Sequence, residues 1–462
     1  MTTRAFVSPW AILAAILLGT FVGTLANSVA NVALPAVMAE FAVPLSSALW
    51  VVTLYILLFA VLMPVCGYLG DLYGQRRMYL LGMTLFSVAS LGSGLAFSFP
   101  WLLGSRALQG IGVAPTLPAV MAIISRTFSP AQRGRAMGFW ALANGAGHAL
   151  GPPLSGFLIQ HLSWRAVFLF SLPLCLLNLG MVWWLVPPDD GHAARSFDFG
   201  GAATLTIVAL GLMLALTQSV RWGWELPRGF WLWSLPLVAL VVFVIVERRV
   251  ESPFVELGLF TNRPYAAATA VIAAQFFCLF GMQLLLPLFL VQVQGYTSGQ
   301  AGLLIFPLAT TAALVAPLAG RFADRCGSRL SCFLGMGVVA LAGISLISWR
   351  ATTSPWQIVI SLAALGLGMG LNQSPVAAAV TFVVAKEQLG VALGIFSMVR
   401  FISGSLGATI FGIILQGASS SPNLGAFRLD FYLLIAVASV AALLALHLPG
   451  PIACQPLSDQ NE

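Results

Sequence analysis

One pattern of glycine, aspartate and arginine occurs twice in the chain with identical spacing. The two copies are Gly67, Asp71, Gly74 and Arg76, followed by Arg77, and Gly320, Asp324, Gly327 and Arg329. An aspartate at such a turn can cap a helix N-terminus or pair with a neighbouring arginine such as Arg77. The second glycine of each copy suits a tight turn. We predict that both copies form a conformational switch in which Asp71 and Asp324 hold one conformation. The alternative is a rigid loop that only fixes the topology.

Two arginines, Arg106 and Arg400, lie inside long apolar runs. A charged side chain at the centre of a bilayer costs about 2.5–3.5 kcal/mol on insertion scales, so it needs a functional role or a strong partner. For Arg106 the alternative is a side chain that reaches the polar surface from near the end of its run. His148, also in an apolar run, could exchange a proton near neutral pH, although a lone histidine is more often a hydrogen-bonded structural residue.

A stretch of small residues and prolines interrupts another apolar run. It contains Gly147, Gly151, Pro152, Pro153 and Gly156. Glycines four residues apart give a flat helix face for close packing, and two prolines remove helical hydrogen bonds and bend a helix. We predict a hinge here, with a simple packing seam as the alternative.

Polar residues scattered through the apolar runs are candidates for lining a central cavity. They are Asn27, Asn31, Tyr55, Gln109, Asn144, Gln275, Gln283, Asn372, Gln373 and Arg400. The alternative for each is a hydrogen bond between helices, worth about 0.6 kcal/mol on average, and we expect about half of them to be only that.

The elements that position these residues must be membrane-spanning helices. The chain has 462 residues, of which 59% are hydrophobic and 8% charged, whereas an ordinary soluble domain has about 25% charged residues. Backbone groups in lipid must be satisfied within the chain, and apolar runs of roughly 20 residues select helices over a barrel. The predicted fold class is therefore an all-α membrane protein.

The sequence offers no nucleotide loop, metal cluster or nucleophile–base arrangement. We therefore expect no enzyme activity, no cofactor and no metal site. The net charge of +7 is interpreted as a signal of membrane orientation, and we expect no nucleic-acid partner.

We predict fourteen transmembrane spans. They cover 10–35, 47–70, 78–98, 101–125, 136–160, 166–187, 200–219, 230–247, 266–292, 300–320, 330–349, 356–382, 389–416 and 430–448. If both termini are cytoplasmic, most of the 21 Lys and Arg residues fall in cytoplasmic loops, as the positive-inside rule requires.

The duplicated pattern divides these spans into two halves. We predict an N-terminal six-helix bundle over 1–187, cytoplasmic linkers flanking two extra transmembrane helices over 188–264, a C-terminal six-helix bundle over 265–450, and a polar cytoplasmic tail over 451–462. Parallel repeats of this kind occur in proteins that rock one half against the other.

A series of motifs follows in order along these spans. It runs through Asn31-Val-Ala-Leu-Pro35, Trp50-Val-Val-Thr-Leu-Tyr55, the 67–77 loop, the Arg106 run, the Gly-Pro-Pro stretch, Trp164-Arg165-Ala-Val-Phe168, Leu259-Phe260-Thr-Asn262-Arg263, and Arg400 with Gly404 and Gly407. Over nearly the whole chain this series resembles the major facilitator superfamily, specifically its fourteen-span drug:proton antiporter branch.

The resemblance implies the major facilitator fold and the efflux of drugs or metabolites in exchange for protons. It implies proton coupling for Arg106, conformational switching for Asp71 and antiport for the Gly-Pro stretch. The expected partners are a small-molecule substrate, the lipid bilayer and protons as the coupling ion. We expect a monomeric, multi-pass protein of the plasma membrane, the inner membrane in a bacterium.

One position departs from the resemblance. Where the branch has an aspartate in the first span, this chain has Ala26. The acids of the chain fall in loops or at span ends, Asp430 among them, so we expect no carboxylate deep in a span. Arginine, with a pKa above about 12, releases a proton poorly. The candidates for proton coupling are Arg106, His148, Glu40 and Asp71.

Two other interpretations stay open. A cavity with arginines and no carboxylate favours neutral or anionic solutes, so the chain is alternatively an uncoupled facilitator or uniporter of such a solute. A non-transporting membrane receptor or scaffold is the third interpretation, and it would need an elaborated soluble domain or tail that the sequence does not contain.

Overall fold

Helices form all the regular secondary structure in the described part of the chain, which confirms the predicted all-α class. The structure is a computed structural model that describes residues 8–48, 50–189, 198–222, 228–250, 253–255, 257–296, 298–385, 388–416 and 424–450. The α-helices are α1 (Pro9–Phe41), α2 (Leu45–Ala48), α3 (Trp50–Tyr73), α4 (Gln75–Gly94), α5 (Phe99–Val113), α6 (Thr116–Thr127), α7 (Pro130–His161), α8 (Trp164–Leu169), α9 (Ser171–Leu185), α10 (Phe199–Trp222), α11 (Arg228–Glu247), α12 (Arg263–Leu288), α13 (Ser298–Cys326), α14 (Ser328–Ile347), α15 (Pro355–Val383), α16 (Leu389–Gln416) and α17 (Leu424–Ala445). A 3-10 helix (Leu257–Thr261) precedes α12, and a π-helix (Phe289–Val293) follows it.

Among the described residues, eleven helical segments are long and apolar enough to cross a membrane. The predicted spans that are missing from this set correspond to α4, α7 and α11. In α4 the helix opens on Gln75, Arg76 and Arg77, and in α11 the apolar described part, Trp233–Glu247, is short. The helix α7 carries polar and small residues along its length, since it packs closely on other helices.

Two pairs of helices make the most extensive contacts between the first part of the chain, α1 to α9, and the last part, α12 to α17. The helix α3 packs along α16, and α7 packs along α13. Because α3 and α13 each end in one copy of the repeated pattern, both seams bring a copy against a helix of the other part. We call the end of the bundle at which α3 and α13 end the latch end.

The helices α10 and α11 cover the seam between α3 and α16. Buried side chains of α10, including Leu205 and Met213, form one apolar cluster with Leu57 of α3 and Ile395 of α16. The segment after α11 extends this cover, because the ring of Phe254 belongs to the same cluster.

Two buried carboxylates fix the segment after α11 in place. Asp198, just before α10, accepts hydrogen bonds from the backbone amides of Gly201 (2.9 Å) and Phe254 (3.3 Å). Glu247, at the end of α11, accepts one from the amide of Val255 (3.3 Å). The segment is therefore anchored to both α10 and α11 where it crosses the seam.

Candidate functional site

The first copy of the repeated pattern contacts the start of α16. Asp71, in the last turn of α3, accepts hydrogen bonds from the backbone amides of Gly390 (2.8 Å) and Val391 (3.1 Å) and from Nε2 of Gln75 (2.9 Å). A carboxylate at this place meets the positive end of a helix dipole. We call this contact latch one.

The second copy makes the reciprocal contact. Asp324, near the end of α13, accepts hydrogen bonds from the backbone amides of Gly134 (2.7 Å) and Arg135 (2.9 Å), close to the start of α7. We call this contact latch two. Each copy of the pattern therefore holds a helix that belongs to the other part of the chain, at the same end of the bundle.

Glycine permits the close approach of the backbones at both latches. A β-carbon added to Gly67 would meet the carbonyl of Gly390, and one added to Gly320 would meet the carbonyl of Gly134. These are backbone atoms that cannot rotate away. A side chain at Gly67 or Gly320 would therefore push the two parts of the chain apart.

Each copy of the pattern ends in a left-handed turn. Gly74 has φ 99° and Gly327 has φ 80°, a conformation in which any other L-residue is strained. Beyond the first turn, Asp189 accepts hydrogen bonds from the amide of Gln75 (2.6 Å) and pairs with Arg126 (3.0 Å). Asp189 therefore caps the start of α4, a role that the sequence analysis missed because its partner lies in a distant turn.

The arginines of the pattern tie each copy to the last helix of its own part. Nη2 of Arg76 donates to the carbonyl of Trp183 (2.5 Å) in α9, and Nε of Arg329 donates to the carbonyl of Leu448 (3.0 Å) after α17. Arg77 is exposed. The suggested pairing of Arg77 with the aspartate of latch one is therefore wrong, since the aspartate turns towards α16 instead.

A cavity of about 500 Å³ lies between the two parts of the chain. The predicted residues that line it are Asn27, Tyr55, Asn144, His148, Gln275, Gln283, Gln373 and Arg400. The wall also contains hydroxyl and aromatic side chains that were not predicted from the sequence, among them Thr20, Thr24, Thr116, Phe59, Phe276, Phe280 and Phe401. Helical spacing could have found some of them, because residues three, four or seven positions apart share a helix face, as Phe276 and Phe280 do with Gln283.

Two predicted cavity residues, Gln109 and Asn372, are placed otherwise. Gln109 points away from the cavity and donates from Nε2 to Oγ of Ser90 (2.7 Å). The side-chain amide of Asn372 donates to Oε1 of Gln275, and Asn372 is itself buried behind that residue. Asn31 belongs to α1, but its side chain lies outside the described residues. The rotation of each helix about its axis decides which way these side chains point, and the residue type alone does not reveal that rotation.

Arg106 lies one layer behind the cavity wall. Its side chain is 0% exposed, donates from Nε to the carbonyl of Val51 (2.8 Å) and from Nη1 to Oε1 of Gln109 (2.6 Å). Its guanidinium carbon lies 4.4 Å from the ring centroid of Tyr55, which faces the cavity. The alternative interpretation, in which Arg106 reaches the polar surface, is therefore wrong, because its partners are inside the bundle.

Part of the predicted hinge in α7 packs tightly on α1. A β-carbon added to Gly147 would contact the hydroxyl of Thr24, and one added to Gly151 would contact the side chain of Ser28. A β-carbon on Gly156 would meet nothing within 4 Å. The first two glycines therefore form a packing seam, and bending at this place stays a prediction.

The helix α7 continues through Pro152 and Pro153. A proline lacks the amide hydrogen that would bond the carbonyl four residues earlier. In this chain the hydroxyl of Ser28 donates to the carbonyl of His148 (3.1 Å), which is the group that Pro152 leaves without its helical donor. Helix α1 therefore satisfies the backbone of α7 where proline interrupts it.

Glu40 lies away from the cavity, at the opposite end from the latches. It accepts two hydrogen bonds from Arg165 (2.6 and 2.9 Å) and one from Nε1 of Trp164 (2.6 Å). The bonds from Arg165, and then from Trp164, lower the pKa of Glu40 below its usual value. A carboxyl with a lowered pKa stays ionised at neutral pH. The ion pair is therefore lost only when the pH falls below the usual pKa of a glutamate.

One carboxylate lies deeper than the sequence indicated. The predicted span placed Asp430 at an outer end, but α17 already begins at Leu424. Asp430 is 0% exposed, and neither of its carboxyl oxygens has a hydrogen-bond partner among the residues that the structure describes. It shares its buried face with Phe427 and Leu434.

Replacing Asp430 by the isosteric leucine should stabilise the protein. A buried polar group without a partner costs about 1–3 kcal/mol, and Asp430→Leu removes that cost without changing the side-chain shape much. We expect the thermal unfolding midpoint of the purified protein in detergent to rise by a few degrees. Leu434→Asp, the reverse change on the same buried face, serves as the control and should lower the midpoint. An unchanged or lower midpoint for Asp430→Leu would show that the carboxyl is satisfied.

The position that departs from the resemblance, Ala26, is buried in the apolar core. The next residue, Asn27, lines the cavity. Among the described lining residues there is no aspartate or glutamate.

Comparisons with known proteins agree with this architecture. A family model described as Major Facilitator Superfamily matches residues 16–408. The chain is 35% identical over 412 residues to the multidrug resistance protein Stp of Mycobacterium tuberculosis, covering 88% of this chain and 76% of that protein. It is 30% identical to the tetracenomycin C resistance and export protein of Streptomyces glaucescens, and the match covers 88% of this chain and 76% of that protein. A crystal structure of a human organic anion transporter shares the fold with a TM-score of 0.70 at 16% identity, covering 95% of this chain and 99% of that one.

Proposed function

The chain belongs to the Major Facilitator Superfamily, and from this premise we propose that it is a secondary active transporter that exports small amphipathic molecules by alternating access. Members of this family are membrane transporters and not enzymes, and relatives of this chain are named for multidrug resistance. The observation that carries the proposal is the pair of reciprocal latches at one end of a cavity between the two parts of the chain.

The membrane arrangement that we propose has fourteen crossings. The eleven apolar segments of the described residues are supplemented by α4, α7 and α11, which are helices of 20 or more residues. Two six-helix bundles and an extra pair then account for the chain, as in the drug:proton antiporter branch. Both termini and the latch end face the cytoplasm of a plasma-membrane protein, and the functional unit is a monomer.

The latches support rocking as the mechanism of alternating access. When latches one and two are closed, the halves touch at the latch end and the cavity is shielded from that side. When the aspartates release the amides of Gly390 and Gly134, the halves separate there and the substrate has access from the cytoplasm. The repeat makes the two latches equivalent, which is the expected basis for rigid rocking.

Proton antiport is the driving force that we propose. Each unit of pH gradient contributes about 1.4 kcal/mol, and the membrane potential adds about 2.3 kcal/mol per charge per 100 mV. His148 is the titratable candidate that lines the cavity. Arg106 lies behind the wall, where it could respond to the position of Tyr55, while Glu40 is held in its ion pair.

An uncoupled uniporter is the second candidate function. A specific observation favours it, namely that no carboxylate occurs among the described residues of the cavity wall. Without such a group the usual carrier of the proton is absent from the place where substrate binds.

Transport from proteoliposomes distinguishes the two functions. We expect the purified protein to accumulate fluorescein or rhodamine 123 up to about tenfold for each imposed pH unit if one proton is exchanged. Nigericin, which collapses the pH gradient in potassium buffer, should abolish that accumulation, and protein-free liposomes serve as the control. Protein-dependent dye movement that only equilibrates the two sides and is unaffected by nigericin would rule out proton antiport and leave the uniporter, while the absence of any protein-dependent flux would contradict transport of these dyes.

A further inference from the structure

Two basic side chains line the cavity, and they come from opposite parts of the chain. Arg400 projects from α16 and His148 from α7, and both line the cavity. These two residues belong to opposite parts of the chain. A bound anion would meet both parts at once.

Arg400 is buried, and none of the described residues gives it a partner of opposite charge. It is 3% exposed, and no described residue forms an ion pair or a hydrogen bond with its guanidinium, whose Nε is buried without a partner. Arg106 differs, because its guanidinium donates to a carbonyl and to Gln109. A buried cation is costly unless an anion or several acceptors compensate it. Arg400 therefore keeps hydrogen-bond donors for a group that is not part of the protein.

Aromatic rings hold this guanidinium against the wall. Its carbon lies 4.5 Å from the ring centroid of Phe276, 5.0 Å from that of Phe401 and 5.6 Å from that of Trp140. A ring face that already carries a cation is less available to a second one. The residues that would otherwise form a box for an organic cation are therefore occupied by the protein's own arginine.

The rest of the wall is amphipathic. Phe59 and Phe280 offer apolar surface, and the side-chain amides of Asn144, Gln283 and Gln373 offer hydrogen bonds. A ligand that fits this wall has an aromatic body, several polar substituents and one negative charge.

We infer that the cavity binds amphipathic organic anions, such as aromatic carboxylates, and that Arg400 receives their negative charge. This inference rests on the proposed transport function and names the substrate class for that same cavity. The anion pairs with the free edge of the guanidinium, while its aromatic body lies against Phe59 and Phe280. Because Arg400 and His148 lie on opposite parts, the anion also links the two halves before they move.

Equilibrium binding of two related dyes tests this inference. Fluorescein and rhodamine 123 share a xanthene ring system, but fluorescein is an anion at neutral pH and rhodamine 123 is a cation. We expect fluorescence anisotropy with the purified protein in detergent to give at least tenfold tighter binding of fluorescein. Equal affinities, or tighter binding of rhodamine 123, would overturn the inference, and this comparison needs no variant.

Variants of Arg400 then test whether this residue binds the negative charge of the dye. Arg400→Gln should weaken fluorescein binding at least tenfold and leave rhodamine 123 binding unchanged or stronger, whereas Arg400→Lys should retain most of the fluorescein affinity. Arg350→Gln removes an exposed arginine outside the cavity and should change neither. If fluorescein binding is insensitive to Arg400→Gln in a variant that unfolds at the wild-type temperature, Arg400 is not the anion site.

Flux measurements separate this inference from the proposed function. If fluorescein binds through Arg400 and neither dye is transported, the anion site stands and the transport function fails for these dyes. If rhodamine 123 is transported and fluorescein does not bind, the transport function stands and the anion site is wrong.

Discussion

Gly67→Leu should abolish transport while leaving the protein in the membrane. A β-carbon at this position meets the backbone carbonyl of Gly390, and a leucine would add three further carbons against a backbone that cannot rotate away. Overpacking costs about 1–3 kcal/mol, occasionally more, and 3 kcal/mol against closure lowers the closed population more than about a hundredfold. The protein would remain open at the latch end and fail to complete its cycle.

Flux of a transported dye in proteoliposomes measures this effect, with the amount of inserted protein determined by immunoblot. Gly320→Leu is the symmetry-related variant, because its β-carbon would meet the carbonyl of Gly134, and it should behave in the same way. Gly104→Leu in α5 is the matched control, since a β-carbon at Gly104 meets nothing within 4 Å. Wild-type flux in Gly67→Leu would show that closure of latch one is not part of the transport cycle.

Asp71→Asn should slow transport roughly tenfold without preventing insertion. Hydrogen bonds to a charged group are worth about 1.5–3 kcal/mol and neutral ones about 0.5–1.5 kcal/mol. Asparagine keeps one acceptor oxygen for the amides of Gly390 and Val391, but its own NH₂ group then faces amide donors. A loss of about 1.4 kcal/mol in the latched state corresponds to a tenfold smaller population, and the state that shields the cavity is visited less often.

The same flux assay tests the aspartate, and the second latch provides an internal comparison. Asp324→Asn removes the matching charge at latch two and should give a reduction of similar size, with a larger one in the double variant. Asp459→Asn makes the same chemical change in the predicted tail, outside the described residues, and should have no effect. Unimpaired flux in both single variants would leave the latches as structural contacts without a role in switching.

The class of fold could be predicted from the sequence because lipid imposes it on every span. A chain with few charges has to satisfy its backbone in helices, and the described residues form helices wherever the apolar runs are long. The repeated pattern also indicated that Asp71 and Asp324 would behave alike. Its contacts could not be predicted, since Gly390 is 319 residues from Asp71 in the chain and only the packing of α3 on α16 brings them together.

The direction of individual side chains was harder to predict than their membership of a helix. Gln109 and Gln283 are both glutamines in apolar helices, yet only Gln283 reaches the cavity, because the rotation of each helix depends on its neighbours. The depth of Asp430 was misjudged for a related reason. A shift of the helix start to Leu424 moves this carboxyl more than one turn inwards, and no local signal marks that start.

The pair of helices α10 and α11 makes the two seams of the bundle unequal. In the described part of the chain α10 packs on α3 and α16, and α11 packs on α10, whereas neither packs extensively on α7 or α13. A lipophilic solute dissolved in the bilayer would thus find lateral access to the cavity walled off on the side of α3 and α16. No described helix covers the opposite seam in this way, so that exchange with the surrounding leaflet would be confined to that flank of the protein.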